Sequence, residues 1–198
     1  MSRLLSLLII FAVIFVVYLF VQHSREPVLP SSTKLEDKAP AVSHETWHEF
    51  TAPGGKFKVL LPSLPQHVTE TANDPKNKEV RSYDTYVSTS DNGTAFWINL
   101  ISFPTEKDMR NTEELLTGVL NDILTHKDSN KLKTMDLGMF HGSKSLRFSI
   151  GSDEMNIEGL VFMKGRTLCL LTMISKGDVY NPKDFEFFTN SFDLQNIE

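Results

Sequence analysis

The sequence predicts an α+β domain, a twisted antiparallel sheet with helices packed on it, preceded by one apolar membrane helix. Three observations carry this reading. Between Leu4 and Val21 every residue but Ser6 is apolar. Most later segments alternate apolar and polar residues in twos, between Gly, Pro and Asn turn signals. Two later segments change to helical spacing.

The amino-terminal run comes first in the chain. Its 18 residues approach the roughly 20 that span a bilayer core as a helix. A cleavable signal peptide has a shorter apolar region and a small-x-small cleavage site. Phe20-Val21-Gln22-His23-Ser24 offers no such site, so the expectation is an uncleaved anchor over residues 1–23. No Cys follows the run to accept a lipid. Arg3 and the free amine precede it, Tyr18 sits where an interfacial aromatic belonging to the far side would lie, and Arg25 is followed at once by Glu26. The orientation expected is an amino end in the cytoplasm and a carboxy-terminal domain in the periplasm, single-pass in the inner membrane. Residues 24–44 carry Pro27, Pro30, Pro40 and Ser31-Ser32. Such a stretch has too little apolar surface to fold alone and reads as a semi-flexible tether.

Residues 45–198 form the predicted domain. Trp47 to Thr51 and Phe57 to Leu61 flank the turn signal Ala52-Pro53-Gly54-Gly55. Phe57, Val59 and Leu61 share one face of a half-buried strand. Gln66 to Glu70 and Val80 to Ser88 are rich in β-formers, with Asp74-Pro75 as the bend. Asp91-Asn92-Gly93 is a hairpin signal. Ala95 to Phe103 is apolar on both faces, which predicts a central strand. Leu115, Leu116, Val119, Leu120, Ile123 and Leu124 then form a helical stripe, capped by Asn111 with Glu114 three residues on. Four strands follow, over Leu132–Phe140, Ser143–Ile150, Met155–Met163 and Arg166–Ile174. Asn181-Pro182 opens a short last helix that turns Phe185 and Phe188 inward, with Phe192 after it.

Trp47-x-x-Phe50-x-x-x-Gly54-Gly55-x-Phe57-x-Val59-x-x-Pro62-x-x-Pro65, with the strands at 144–148, 159–164 and 166–174 and the closing Phe185–Phe192 segment, resembles the PsbP/Mog1-like domains. That resemblance implies an α/β/α sandwich. The fold serves photosystem accessory subunits, Ran-binding proteins and many exported bacterial proteins, so it implies little about chemistry. No set of functional residues carries over.

Composition removes several function classes. From His44 onward 16 Lys and Arg stand against 22 Asp and Glu. The basic residues are scattered among acids, which excludes the basic stripe of a nucleic-acid binder. One Cys excludes a disulfide scaffold or a Cys-based zinc finger.

His44-Glu45-Thr46-Trp47-His48 fits H-E-x-x-H. On a helix the two imidazoles would face one zinc and Glu45 would polarise water, a metal-dependent hydrolase. Pro40 before it and Pro53-Gly54-Gly55 after it leave little room for that helix. The resemblance places Trp47 to Phe50 on a strand, where i and i+4 stand about 13 Å apart. His67, His126 and His141 read as surface or loop residues, and Cys169, within Leu168-Cys169-Leu170-Leu171, as a small core hydrophobe. Asp153, Glu154 and Glu158 read as a solvated face rather than a cation site. The Gly54-Gly55 pair lacks the pattern of a phosphate-binding loop. The expected protein is therefore non-catalytic, with no catalytic, cofactor-binding or metal-ligating residues. It binds, or assists the assembly of, another envelope protein. The alternatives are the hydrolase through His44, Glu45 and His48, and a small-ligand carrier with a pocket between sheet and helix.

Overall fold

A computed structural model describes residues 44–73, 80–104, 111–152 and 155–195. The expected anchor and most of the expected tether lie outside these residues, as does the Asp74-Pro75 bend. No helix among the described residues is long and apolar enough to cross a membrane.

Among the described residues ten strands and two α-helices follow one another in the order β1 (His48–Thr51), β2 (Phe57–Leu61), β3 (Gln66–Asn73), β4 (Val80–Thr89), β5 (Ala95–Ser102), α1 (Thr112–His126), β6 (Lys131–Phe140), β7 (Ser143–Gly151), β8 (Met155–Lys164), β9 (Thr167–Lys176), α2 (Pro182–Asn190) and β10 (Asp193–Leu194). The strands divide into two sheets rather than the single one expected from sequence. Seven form an antiparallel sheet in the order β3-β4-β5-β9-β8-β7-β6, and β1-β2-β10 form a small second sheet. The tail strand β10 pairs with β2 through Asp193 opposite Lys58 and Leu194 opposite Phe57. Two residues with no alternation to read gave no sequence signal for β10.

Each face of the large sheet has its own core. On one face Tyr86, Phe96, Ile98, Phe162, Leu171 and Met173 meet the small sheet and α2. Phe57, Val59 and Leu61 cover this face from β2, and Phe185 and Phe188 from α2, with Phe192 just beyond it. Phe57 stacks on Phe192 with ring centroids 5.1 Å apart and meets Tyr86 edge-on at the same distance. On the opposite face Leu116, Val119, Leu120 and Ile123 of α1 cover Leu146, Phe148, Ile150, Val161 and Leu170. Both helices begin as the sequence predicts. The Asn111 side chain accepts from the Glu114 amide at 3.4 Å, and that of Asn181 from the Lys183 amide at 3.2 Å, before Pro182.

The middle of the sheet rests on one close approach. Gly159 pairs with Phe148, and a Cβ on Gly159 would lie 2.0 Å from Phe148 Cζ. The missing side chain lets the ring lie flat on the neighbouring strand.

Strand β6, at one edge, is unlike its neighbours. From Lys131 to Met139 it is exposed, while its hairpin partner β7 is largely buried. Leu132 pairs with Ile150, Met135 with Phe148, Leu137 with Leu146, and Met139 with Lys144. Paired residues share a face, so these four line the α1 side of the sheet. The pairing shifts between Leu132 and Thr134, a β-bulge that absorbs Lys133. Lys133 swings across Gly151 and donates to Asn156 Oδ1 at 2.6 Å.

Candidate functional site

Three acids lie buried among the described residues, and each is closed off by donors from within the domain. Asp84 sits on β4 opposite Thr69 of β3, whose hydroxyl donates to Oδ1 at 2.6 Å. Lys56, just before β2, reaches it with Nζ 2.5 Å from Oδ2. His67 Nε2 lies 3.3 Å from Oδ1 and 3.2 Å from Thr69 Oγ1. Burial pushes the Asp84 carboxyl up, but the bonds from Lys56 and Thr69, the Lys56 charge and the His67 bond outweigh it and hold it below its ordinary 3.8. The register places Tyr86 opposite His67, and their rings stack at 4.1 Å. Burial first, and then the Asp84 charge, push the Tyr86 hydroxyl up to about 12.

Glu158 on β8 faces Ser149 of β7, which donates to Oε1 at 2.7 Å. Tyr180, just before α2, donates to the same oxygen at 2.5 Å. Burial and then the bond to Glu158 raise the Tyr180 hydroxyl. The solvated face expected for Glu158 is thus corrected. It is 8% exposed, because the segment leading into α2 folds over it. Asp153 and Glu154 lie outside the described residues.

Asp184, in the first turn of α2, is 2% exposed. Its Oδ1 accepts from Asn181 Nδ2 at 2.8 Å and lies 2.9 Å from His44 Nε2. The His44 ring stacks on Phe187 at 4.1 Å and meets Trp47 edge-on at 5.3 Å.

These clusters resemble relays but lack the geometry of one. In a Ser-His-Asp arrangement the acid holds one ring nitrogen and the nucleophile faces the other. His67 offers the same Nε2 to Asp84 and Thr69, and the Thr69 hydroxyl is turned toward the acid. His44 offers Nε2 to a carboxylate packed beneath it.

The H-E-x-x-H match does not form its helix. His44, Glu45 and Thr46 make a 3-10 turn, and His48 opens β1 opposite Leu61, with its side chain exposed. The turn orients His44 toward α2, while the strand carries His48 into the small sheet. Among the described residues no three His, Cys, Asp or Glu side chains gather as a metal site. Cys169 is fully buried, and burial pushes its thiol up to about 12. His141 occupies the β6–β7 turn at a positive φ of 47°. His67 is exposed, as expected of a surface residue, and its ring also reaches the Asp84 cluster. Its alternation with Val68 and Thr69 was visible in the sequence, but its partner on β4 was not.

Three further buried polar atoms bear on the carrier reading. Trp47 Nε1, Thr94 Oγ1 and Ser175 Oγ have no hydrogen-bond partner among the described residues. Thr94 precedes Ala95 and Ser175 follows Ile174, the terminal pair of the β5–β9 ladder, so both hydroxyls stand on the aromatic face at that end. Trp47 lies over the neighbouring Phe96, with centroids 4.9 Å apart.

No family model matches the chain, and no curated protein matches it. The fold is similar to the solution structure of cyanobacterial PsbP (CyanoP) from Synechocystis sp. PCC 6803. The TM-score is 0.53 at 10% identity, covering 81% of this chain and 99% of that one. The domain therefore has a PsbP-like fold.

Proposed function

We propose that the protein is a non-catalytic domain that binds, or assists the assembly of, another envelope protein. Leu4–Val21 anchors it in the inner membrane and the tether presents it on the periplasmic side. One observation supports the non-catalytic reading above the others: Asp84, Glu158 and Asp184 are each closed by internal donors. A general acid or base must reach a substrate proton, and these carboxylates instead join strand to strand or helix to turn. What such a domain offers is its surface and its position.

Crosslinking in intact membranes, followed by identification of the captured protein, tests the binding role. A reproducible envelope partner supports it. Turnover of a substrate by purified protein, lost in Glu45→Gln or Asp184→Asn at unchanged stability, overturns it. Protease treatment of spheroplasts tests the topology. Digestion of the domain beside an intact cytoplasmic control supports the orientation, and protection in sealed spheroplasts overturns it.

A second reading, carriage of a small polar ligand, draws on Trp47 Nε1, Thr94 Oγ1 and Ser175 Oγ. Buried polar groups without partners are costly unless something fills them. Native mass spectrometry of protein taken from its own membrane tests it. A bound small molecule that disappears in Thr94→Val supports carriage, and a bare chain mass opposes it.

A further inference from the structure

We propose that strand β6 pairs with β6 of a second copy of this chain, antiparallel about a two-fold axis through Leu137, joining two seven-stranded sheets into one. This goes beyond the function proposed above, since it needs neither the anchor nor another protein.

The surface comes first. Leu132, Met135, Leu137 and Met139 are 44%, 46%, 53% and 66% exposed, on one face of an edge strand. Helix α1 packs on β7 and β8, so the stripe lies beyond its cover. Natural edge strands are blunted by charge, proline, bulges or short length. Here the bulge and two lysines, Lys131 and Lys133, guard only the first part of the strand. From Thr134 to Phe140 the pairing with β7 is regular and the only charge is Asp136.

The nature of the occupant follows from the backbone. A lipid surface would cover the apolar side chains but leave the outer N–H and C=O groups of the edge unpaired, which hydrocarbon penalises. A strand satisfies both. The sequence of the edge then selects the register and favours a second copy. The regular segment has Leu137 at its centre, so pairing it with itself about Leu137 uses the whole segment. Met135 then stands opposite the second copy's Met139, Asp136 opposite Gly138, and Thr134 opposite Phe140. No like charges meet. A slip that centres the axis on Asp136 would place two carboxylates side by side, which is destabilising. Both apolar stripes fall on the same side of the joined sheet, between the two copies of α1.

Position-resolved disulfide crosslinking of the full-length chain in membranes provides the test. The buried Cys169 does not compete. Directly opposed residues have Cβ atoms about 4.5–5.5 Å apart, close to disulfide reach. Leu137→Cys, on the axis, is expected to crosslink to itself. Met135→Cys alone is not, because two copies of that position lie about 13 Å apart along the strands. A mixture of Met135→Cys and Met139→Cys regains the crosslink. Leu137→Glu, at an exposed position, keeps the thermal transition of the parent chain but, combined with the Met135→Cys and Met139→Cys pair, loses the crosslink. Association through the apolar run alone cannot reproduce this position dependence. Absence of the Leu137→Cys crosslink, equal crosslinking at Leu137 and Met135, or capture of lipid or a foreign strand in place of the second copy would overturn the proposal.

Discussion

The two faces of the large sheet are covered in different ways. The face under α2 and the small sheet is aromatic, built on Trp47, Phe57, Tyr86, Phe96, Phe162, Phe185, Phe188 and Phe192. The face under α1 is mainly aliphatic, with Leu, Ile and Val from α1, β7 and β8 around Phe148. The aromatic core joins segments from opposite ends of the domain. The aliphatic core is drawn largely from consecutive elements. Contacts between distant segments must overcome more loop-closure entropy before they stabilise anything. Large rings supply much apolar area per residue ordered. The domain thus gathers most of its buried aromatic rings where chain connectivity helps least.

Substitutions that attack each face separately can break this comparison. The largest effect is expected from Phe57→Ala, which removes the ring that stacks on Phe192 and meets Tyr86 edge-on. Truncating a buried aromatic costs about 3–5 kcal/mol, a large part of the roughly 5–15 kcal/mol that stabilises an ordinary domain. Urea unfolding should show a midpoint far below that of the parent, and β10 should lose its hold on β2. On the aliphatic side Gly159→Ala pushes a methyl into the Phe148 ring. Overpacking of this kind costs about 1–3 kcal/mol. Thermal unfolding should register a smaller shift, and a double variant with Phe148→Leu should recover part of it.

A third prediction concerns the bridge between the sheets. Because the folded state holds Asp84 below 3.8, its contribution is complete above that value. It is lost as pH falls through the lower, folded-state value. The stability difference between the parent and Asp84→Asn, read by denaturant unfolding, should therefore shrink as the solution is acidified. Tyr86 behaves with the opposite sign: raised from 10.0 to about 12, its contribution is present below pH 10 and lost as pH rises through 12. The smallest effect is expected at the H-E-x-x-H match. Glu45 is exposed in a 3-10 turn, so Glu45→Gln should leave stability within about 0.5 kcal/mol. Trp47→Ala, two residues on and buried against Phe96, should behave like Phe57→Ala.

The sequence made the periodic parts of this fold legible. Alternation in Phe57, Val59 and Leu61 placed β2, and the Leu116–Ile123 stripe placed α1, because each pattern is local and repeats. The caps Asn111 and Asn181 and the turns at Gly54 and Gly93 were equally local. What could not be read depends on partners far along the chain. Nothing in Asp193-Leu194 announces a strand until Phe57 and Lys58 lie beside it. Nothing near Glu158 announces that Tyr180 will cover it. The exposed stripe on β6 was hidden for a similar reason, since its alternation is the pattern that a buried strand would show. Whether such a face is covered depends on how far α1 extends across the sheet.

The bulge at Lys133 carries a consequence of another kind. Leu132 and Met135 are three residues apart in sequence, a spacing that would put them on opposite faces of a regular strand. They share a face because Lys133 is taken up as an extra, unpaired residue between Leu132 and Thr134. Viewed as a genetic event, that residue is a one-codon insertion whose disturbance stops within the hairpin. The strand on either side keeps its orientation, and the inserted side chain is tied down to Asn156. Loss of that codon would thus leave the rest of the edge facing as it does.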